Sequence, residues 1–461
     1  MDPLRLEHAA KLVGGQLRGE VGKQRAQRVV IDSREVRPGD LFVCIKGDRF
    51  DGHEFATTAR AAGAIGVLTE RELPGLEPQI VVGDSLAALG ALGHAVRVRA
   101  RKSNDPIVVA VTGTNGKTGT KDLTAGALGS QRRTVASPGS YNNSVGVPLS
   151  LLGIENDSEA VVVEAGSNAP GEIASLAQLV EPEIGVITNC QTGHLEGLGD
   201  LEGVRQEKGS LLDGLVGRAV SVLNRDDPSF AELAARAPGE VVSFGLDPAA
   251  DVRAENVRCD LESTRFVVDG KLPVRVAHLG HHAVLNALAA LAVARVMGLD
   301  LRVAALGMGR IAPPPGRLQL RRVGQITVLD DSYNANPGSL AAAARTVAEL
   351  GHDSRRVCIV GDMLELGRKA KRFHREAGRA LGATLPAQLV AVGRYAAQLV
   401  EGAVDAGMPA EVCYACADRS EAAQRMADML RPGDLVLLKA SRGMALERLF
   451  GALASQAAAA P

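Results

Sequence analysis

The chain has 461 residues, 46% hydrophobic and 23% charged, an ordinary globular composition with enough apolar surface for real cores. At roughly 100–200 residues per domain it should divide into two to four domains. Its 52 Lys and Arg nearly cancel 53 Asp and Glu, for a net charge of -1, which excludes the basic footprint of a dedicated nucleic-acid binder and a polybasic membrane anchor.

Residues 1–7 carry no apolar run, which predicts no signal peptide and a cytoplasmic protein. Short strands are predicted at 29–31 and 41–45, the start of a small α/β block. A charged joint at 99–106, ending in Pro106, closes that block. Strands followed by turn residues are then predicted at 107–112, 160–164 and 184–188. The longest apolar stretch, 283–299, is interrupted by Asn286 and Arg295, which would be costly at a membrane centre, so it reads as a buried core helix. Pro313-Pro314-Pro315 stiffens a second joint, 311–317, of the kind that lets domains move while staying aimed. Strands return at 326–329, 357–360, 389–392 and 435–438. Strands alternating with helices imply an α/β fold with mostly parallel sheets. Cys413 and Cys416 form a lone CxxC with no further zinc ligands nearby, and read as two ordinary thiols of a reducing compartment. Residues 457–461 read as a frayed tail.

The strongest motif is Thr112-Gly113-Thr114-Asn115-Gly116-Lys117-Thr118, between a strand and a helix. Glycines let backbone N–H groups converge on phosphate oxygens, and a helix N-terminus adds a favourable dipole. Lys117 would reach the terminal phosphates and the Thr118 hydroxyl would ligate Mg²⁺. The loop is shorter than the common form, which wants a glycine where Val111 stands. A magnesium–nucleotide site needs further hard oxygen ligands. Glu164 ends a buried strand, where open α/β sheets place ligands, and His194 follows another strand end through a turn. By composition alone, Lys208 reads as a helix-surface cation.

Several segments together resemble the Mur ligase superfamily over nearly the whole chain. They are the phosphate loop, Tyr141-Asn142-Asn143-Ser144-Val145-Gly146-Val147-Pro148, His194-Leu195-Glu196-Gly197, Asn286-Ala287-Leu288-Ala289-Ala290 and Pro315-Gly316-Arg317. They continue with Asp330-Asp331-Ser332-Tyr333-Asn334-Ala335-Asn336 and Gly361-Asp362-Met363-Leu364-Glu365-Leu366-Gly367. The resemblance implies three domains: a small α/β UDP-sugar-binding domain at 1–104, an ATP-binding P-loop domain at 105–312, and a Rossmann-like domain at 313–461. It implies a monomeric ATP-dependent ligase of peptidoglycan precursor synthesis that joins D-alanyl-D-alanine to UDP-MurNAc-tripeptide through an acyl phosphate. It implies that Gly113, Thr114, Asn115, Gly116, Lys117 and Thr118 hold ATP, with Asn286 near adenine, Arg317 near the phosphates, Asp331 on the ribose, and Tyr333 and Asn336 close by. Thr118, Glu164, His194 and a carbamoylated Lys208 would hold magnesium; Lys117, Lys208 and His194 would be catalytic. Ser33, Arg34 and Lys46 would meet the UDP moiety, Asn142 and Asn143 the nucleotide-sugar or peptide, and Ser441 and Arg442 the dipeptide carboxylate.

This sequence departs from the family pattern twice. Ala283 in Gly280-His281-His282-Ala283 replaces a usual asparagine, leaving adenine to Asn286, and Lys439-Ala440-Ser441-Arg442 has alanine for a usual glycine. Two alternatives stand beside this reading. One is another ligase of the superfamily, such as a folylpolyglutamate synthase. The other is a P-loop switch that hydrolyses nucleotide to change shape.

Overall fold

Residues 107–112, Ile-Val-Val-Ala-Val-Thr, are mostly β-branched, and such stiff side chains suit a strand covered on both faces. In the computed structural model, which describes residues 3–47 and 50–451, they form β1 (Ile107–Thr112), third from one edge of a nine-stranded sheet. β1 runs parallel to β2 (Ala160–Glu164) on one side and β3 (Ile184–Ile187) on the other. The carboxyl ends of all three open on one edge of the sheet, where ligands of such sheets bind. α2 (Lys117–Gly129) leaves β1 there, and α3 (Leu201–Asp213) follows β3. α4 (His281–Val296) is alanine-rich on every side and is buried from Asn286 to Ala294, so the predicted core helix is present with slightly different ends.

A five-stranded sheet precedes this one, in the order Gln16–Arg18, Gln79–Val81, Gly66–Thr69, Leu41–Val43, Val29–Val30. A six-stranded sheet follows, in the order Gln319–Val323, β4 (Ile326–Asp331), β6 (Leu435–Lys439), β5 (Arg356–Gly361), Gln388–Val392, Cys413–Cys416. Its pairings are parallel except at the Gln319–Val323 edge. Cys413 and Cys416 sit three apart on an edge strand, so their side chains leave opposite faces; all six thiols are free. No helix among the described residues is long and apolar enough to cross a membrane.

The large sheet is mostly parallel, as expected, and Val252–Cys259, Thr264–Val268 and Leu272–Val276 add an antiparallel wing at one end. The alternating burial of Thr264–Val268 marks a sheet covered on one face. Two expectations are corrected. Residues 99–103 are the last turn of α1 (Ser85–Ser103), not a loose joint. The fully buried Arg97 donates to the Val180 and Glu181 carbonyls and pairs with Glu183, riveting this helix to the large sheet's unit. Lys208 is only 1% exposed, not a surface cation. Asp48, Arg49 and residues 457–461 lie outside the described residues.

Candidate active site

The phosphate loop works because its glycines stand where no side chain fits. Gly113 has φ of +139, and a Cβ there would lie 2.0 Å from Thr188 Oγ1. Gly116 has φ of +82, and its Cβ would fall 2.5 Å from Asn286 Oδ1. Asn286, buried on α4, accepts a hydrogen bond from Thr120 Oγ1 at 3.1 Å, so it braces the first turn of α2. Gly116→Ala should therefore cost both stability, by roughly 1–3 kcal/mol, and nucleotide affinity. Thermal melts and nucleotide titration check this, and a variant matching the parent in both would remove the close-packing argument.

Lys117 folds back on the loop, its Nζ donating to the Gly113 and Thr114 carbonyls at 2.7 and 3.0 Å. Burial pushes its ammonium down to about 8, the Glu164 carboxylate opposing that fall and Arg317 adding to it. Thr118 is buried at the start of α2. Glu164, 1% exposed at the end of β2, accepts from Asn142 Nδ2 at 2.8 Å through Oε1, while its buried Oε2 has no partner. A buried carboxylate oxygen left unpaired is costly unless a cation or donor arrives with the ligand.

These groups face a cleft of about 930 Å³ between the nine-stranded and six-stranded sheets. The opposite wall comes from the six-stranded sheet's unit. The Arg317 guanidinium stacks on the Tyr333 ring at 4.2 Å, and the Tyr333 hydroxyl meets Ser140 Oγ across the cleft at 2.6 Å. Asp331 accepts from Lys439 Nζ at 2.6 Å and from the Leu318 N–H at 3.1 Å. Asn336 reaches the loop itself, pairing with Asn115.

Sequence comparison supplies the family. Residues 25–97 match the description "Mur ligase family, catalytic domain", 111–294 "Mur ligase middle domain", and 316–442 "Mur ligase, glutamate ligase domain". The Escherichia coli UDP-N-acetylmuramoyl-tripeptide–D-alanyl-D-alanine ligase is 34% identical over 460 residues, covering 97% of this chain and 98% of the relative. The chain belongs to the Mur ligase family. The Bacillus subtilis ligase of the same name is 31% identical, covering 96% of this Mur ligase and 98% of its own length. A crystal structure of MurF from Acinetobacter baumannii superposes with a TM-score of 0.90 at 30% identity, with 99% of each chain covered. MurF from Thermotoga maritima in complex with ADP gives 0.79 at 28% identity, with 94% of this chain and 98% of that one covered.

The remaining predicted residues of this Mur ligase divide between those that reach the cleft and those that do not. Asn142, Asn143 and His194 line it. His194 Nδ1 donates to Glu365 Oε2 at 2.6 Å, and this bond holds the Glu365 carboxyl below its usual range. Among the described residues, no three His, Cys, Asp or Glu side chains converge as a ready metal cluster. Lys208 lies behind the cleft wall, its Nζ donating to Ser167 Oγ at 2.7 Å. Burial, then the nearby Lys117 charge, pushes its ammonium down to about 7.

Ser441 is buried and already engaged, accepting from the Leu364 N–H and donating to the Ala335 carbonyl. Arg442 is exposed and pairs with Glu447. Ser33 and Arg34 sit in a turn of the first unit, where Arg34 folds back onto Asp32 at 2.6 Å. The backbones of Lys46 and Asp51 pair in an isolated antiparallel bridge, and the Asp51 carboxylate accepts a hydrogen bond from His53 Nδ1 at 2.5 Å. His53 Nε2 accepts from the Glu70 N–H, which leaves Nδ1 as the protonated nitrogen. None of Ser33, Arg34, Lys46, Ser441 or Arg442 lines the cleft.

Sequence reasoning passed over three groups that do line it. Lys439 occupies the end of β6 against Asp331, a position readable only as a strand end. Gln191 holds Thr114 Oγ1 through its carbonyl. His278 is buried, with both ring nitrogens unpartnered and its imidazole pushed down to about 4 by burial and by His282. Nothing local in the sequence marks it.

Proposed function

We propose that this Mur ligase joins the amine of D-alanyl-D-alanine to the terminal carboxylate of UDP-MurNAc-tripeptide, splitting ATP to ADP and phosphate. The observation that carries this reading is the phosphate loop facing Arg317, Asp331 and Tyr333 across one cleft, in a chain aligned end to end with ligases of that name.

Nucleophile and phosphate are both anionic, so catalysis is chiefly placement and neutralisation of charge. Lys117 stands beside the loop carbonyls, from which a phosphate oxygen would draw its ammonium. An anion there also restores the proton affinity that burial removes. A carboxylate oxygen of the tripeptide attacks the γ-phosphorus, forming an O–P bond as the bond to ADP breaks. The dipeptide amine then attacks the acyl carbon, and the tetrahedral adduct expels phosphate while the amine's proton passes to solvent or base. Arg317, seated over the Tyr333 ring, would meet the charge that moves between ADP and the acyl phosphate. The docked six-stranded unit keeps water from the intermediate.

The residues also suit magnesium. The unpartnered Glu164 Oε2 and buried Thr118 are hard oxygen donors beside the loop. With His194 and a carbamoylated Lys208 they would hold the ion, which supplies neutralisation of phosphate charge when bound. Lys208 suits carbamoylation because its lowered proton affinity leaves neutral amine to attack CO₂ near pH 7. A new N–C bond forms, a proton leaves, and a buried cation becomes an anion. We place the UDP-sugar contacts on Ser33, Arg34 and Lys46, and the dipeptide beside Arg442. We place the protein in the cytoplasm as a monomer, since its six thiols are free and one chain builds the whole cleft.

Incubation with ATP, Mg²⁺, UDP-MurNAc-tripeptide and D-alanyl-D-alanine should release phosphate only when both acceptor and donor are present. The product should be heavier by one dipeptide less water. AMP and pyrophosphate among the products would sink the acyl-phosphate scheme. Phosphate release with a different carboxylate–amine pair alone would keep the ligase chemistry and discard the cell-wall substrate.

A further inference from the structure

The phosphate loop carries one side chain, Asn115, that bonds across to the six-stranded sheet's unit. Asn115 is pinned through its backbone to the nine-stranded sheet's unit. Its N–H donates to Asn189 Oδ1 at 3.0 Å, and its carbonyl accepts from Thr188 Oγ1 at 2.6 Å and Asn189 Nδ2 at 3.0 Å. Its amide faces the other unit, where it meets Asn336 in a reciprocal pair. Asn336 Nδ2 donates to Asn115 Oδ1 at 2.7 Å, and Asn115 Nδ2 donates to Asn336 Oδ1 at 3.2 Å and to Gln191 Oε1 at 2.9 Å.

The orientation of both amides is determined, not arbitrary. Asn336 caps α5 (Pro337–Leu350), its Oδ1 accepting from the Ser339 N–H at 2.9 Å. A backbone N–H can only donate, so the atom it meets is the oxygen. Asn336 must then present its NH₂ to Asn115, which answers with Oδ1 and sends its own NH₂ to Asn336 and Gln191. The seat is close-fitting as well. A Cβ on Gly338, in the first turn of α5, would lie 2.5 Å from Gln191 Oε1, and one on Gly193 would lie 2.8 Å from Thr114 Cγ2.

We propose that Asn115 and Asn336 form a clasp that ties docking of the C-terminal unit to the working shape of the phosphate loop. Asn115 is thus a positioning residue rather than a phosphate ligand. A side chain whose own peptide is part of the loop transmits any displacement of α5 directly to the groups around Lys117. The clasp belongs to the docked state alone, because its two halves come from different units. It rests on the ligase reading only for what closure accomplishes.

Asn336→Asp tests it without removing the helix cap, since aspartate keeps the oxygen that Ser339 needs. It replaces the NH₂ that donates to Asn115 Oδ1 with a second acceptor, so the reciprocal pair loses one of its two bonds. Asn115→Ala removes the other half. Each variant should lower kcat by roughly tenfold, with the KM for ATP moving by less than about threefold. The double variant should be no slower than the slower single variant. Independent effects that multiply to about a hundredfold would overturn the clasp, as would wild-type kcat in Asn336→Asp. A donor–acceptor dye pair, one on each unit of the full chain, gives a reading that needs no substrate. The inter-unit distances of Asn336→Asp should broaden toward longer values, and an unchanged distribution overturns the proposal. Wild-type turnover measured alongside separates the two ideas. An inactive wild type with these substrates counts against the ligase reading, while the dye distances still decide the clasp.

Discussion

Lys117→Met should lose turnover by roughly three orders of magnitude or more, an effect of about 4 kcal/mol or larger on the transition state. It should do so without lowering the melting temperature of the unliganded protein. The two outcomes have opposite physical origins. On the proposed mechanism the ammonium would offset charge on the transferred phosphoryl group, and methionine would offer none. For folding, the same ammonium is destabilising. Burial pushes it down to about 8, so folding disfavours its charged form, and two loop carbonyls compensate only in part. Methionine keeps the stem's packing and removes the buried charge. The kcat and a thermal melt measured on one preparation check both halves. An active variant would make the loop decorative, and a badly destabilised one would mean the lysine's bonds to Gly113 and Thr114 outweigh the cost of burying it.

Lys208→Ala should lower kcat by roughly a hundredfold or more, with part of the loss recovered by acetate or formate at millimolar concentrations. The argument begins from position. Lys208 is 1% exposed, it donates to Ser167, and its charge and that of Lys117 repel each other. An ammonium there would repel a magnesium ion, whereas a carbamate would offer it negative oxygens. A small carboxylate can fill the space left by the truncated side chain and restore the negative oxygens. Carbon-13 NMR under labelled CO₂ gives an independent reading, a carbamate resonance present in the parent and missing in the variant. Full activity in Lys208→Ala would remove Lys208 from the site.

The unmodified Lys208 also predicts a pH dependence of stability. Its folded pKa of about 7 lies below the ordinary lysine value of 10.5. Between those values the unfolded chain binds more protons than the folded one, so stability rises with pH across that window. Below about 7 both states are protonated and the penalty is constant. Lys208→Met should flatten this slope in CO₂-free buffer, as denaturant melts at several pH values would show. An unchanged slope would assign it to other groups.

Thr112 to Thr118 were legible in the sequence because the whole device is local. One β-branched strand, two glycines with positive φ and a helix N-terminus occupy a single contiguous run. The buried strands around it were legible for the same reason, since a strand covered on both faces must be apolar along its length. Glu164 could be singled out because the end of such a strand is where a carboxylate is least expected to be structural.

The antiparallel wing was harder to see, because alternation over five residues is a weak signal beside a run of valines. Lys208 was misread outright from composition. A lysine on a helix is usually solvated, and only the packing of α3 on the sheet decides that this one is buried against Ser167. Asn142 lines the cleft, and its amide also donates to Glu164 Oε1, a partner 22 positions away that no local pattern announces.

The sequence by itself determined the phosphate loop, the α/β class and the family, because short-range geometry and apolar runs carry those directly. Tertiary structure alone decided how the cleft is closed. Asn115 meets Asn336 across 221 positions, Tyr333 meets Ser140 across 193, and His194 meets Glu365 across 171. Each of these bonds joins a residue of the nine-stranded sheet's unit to a residue of the six-stranded sheet's unit. Their pairing follows from how two separately folded units dock, and no periodicity along the chain records it.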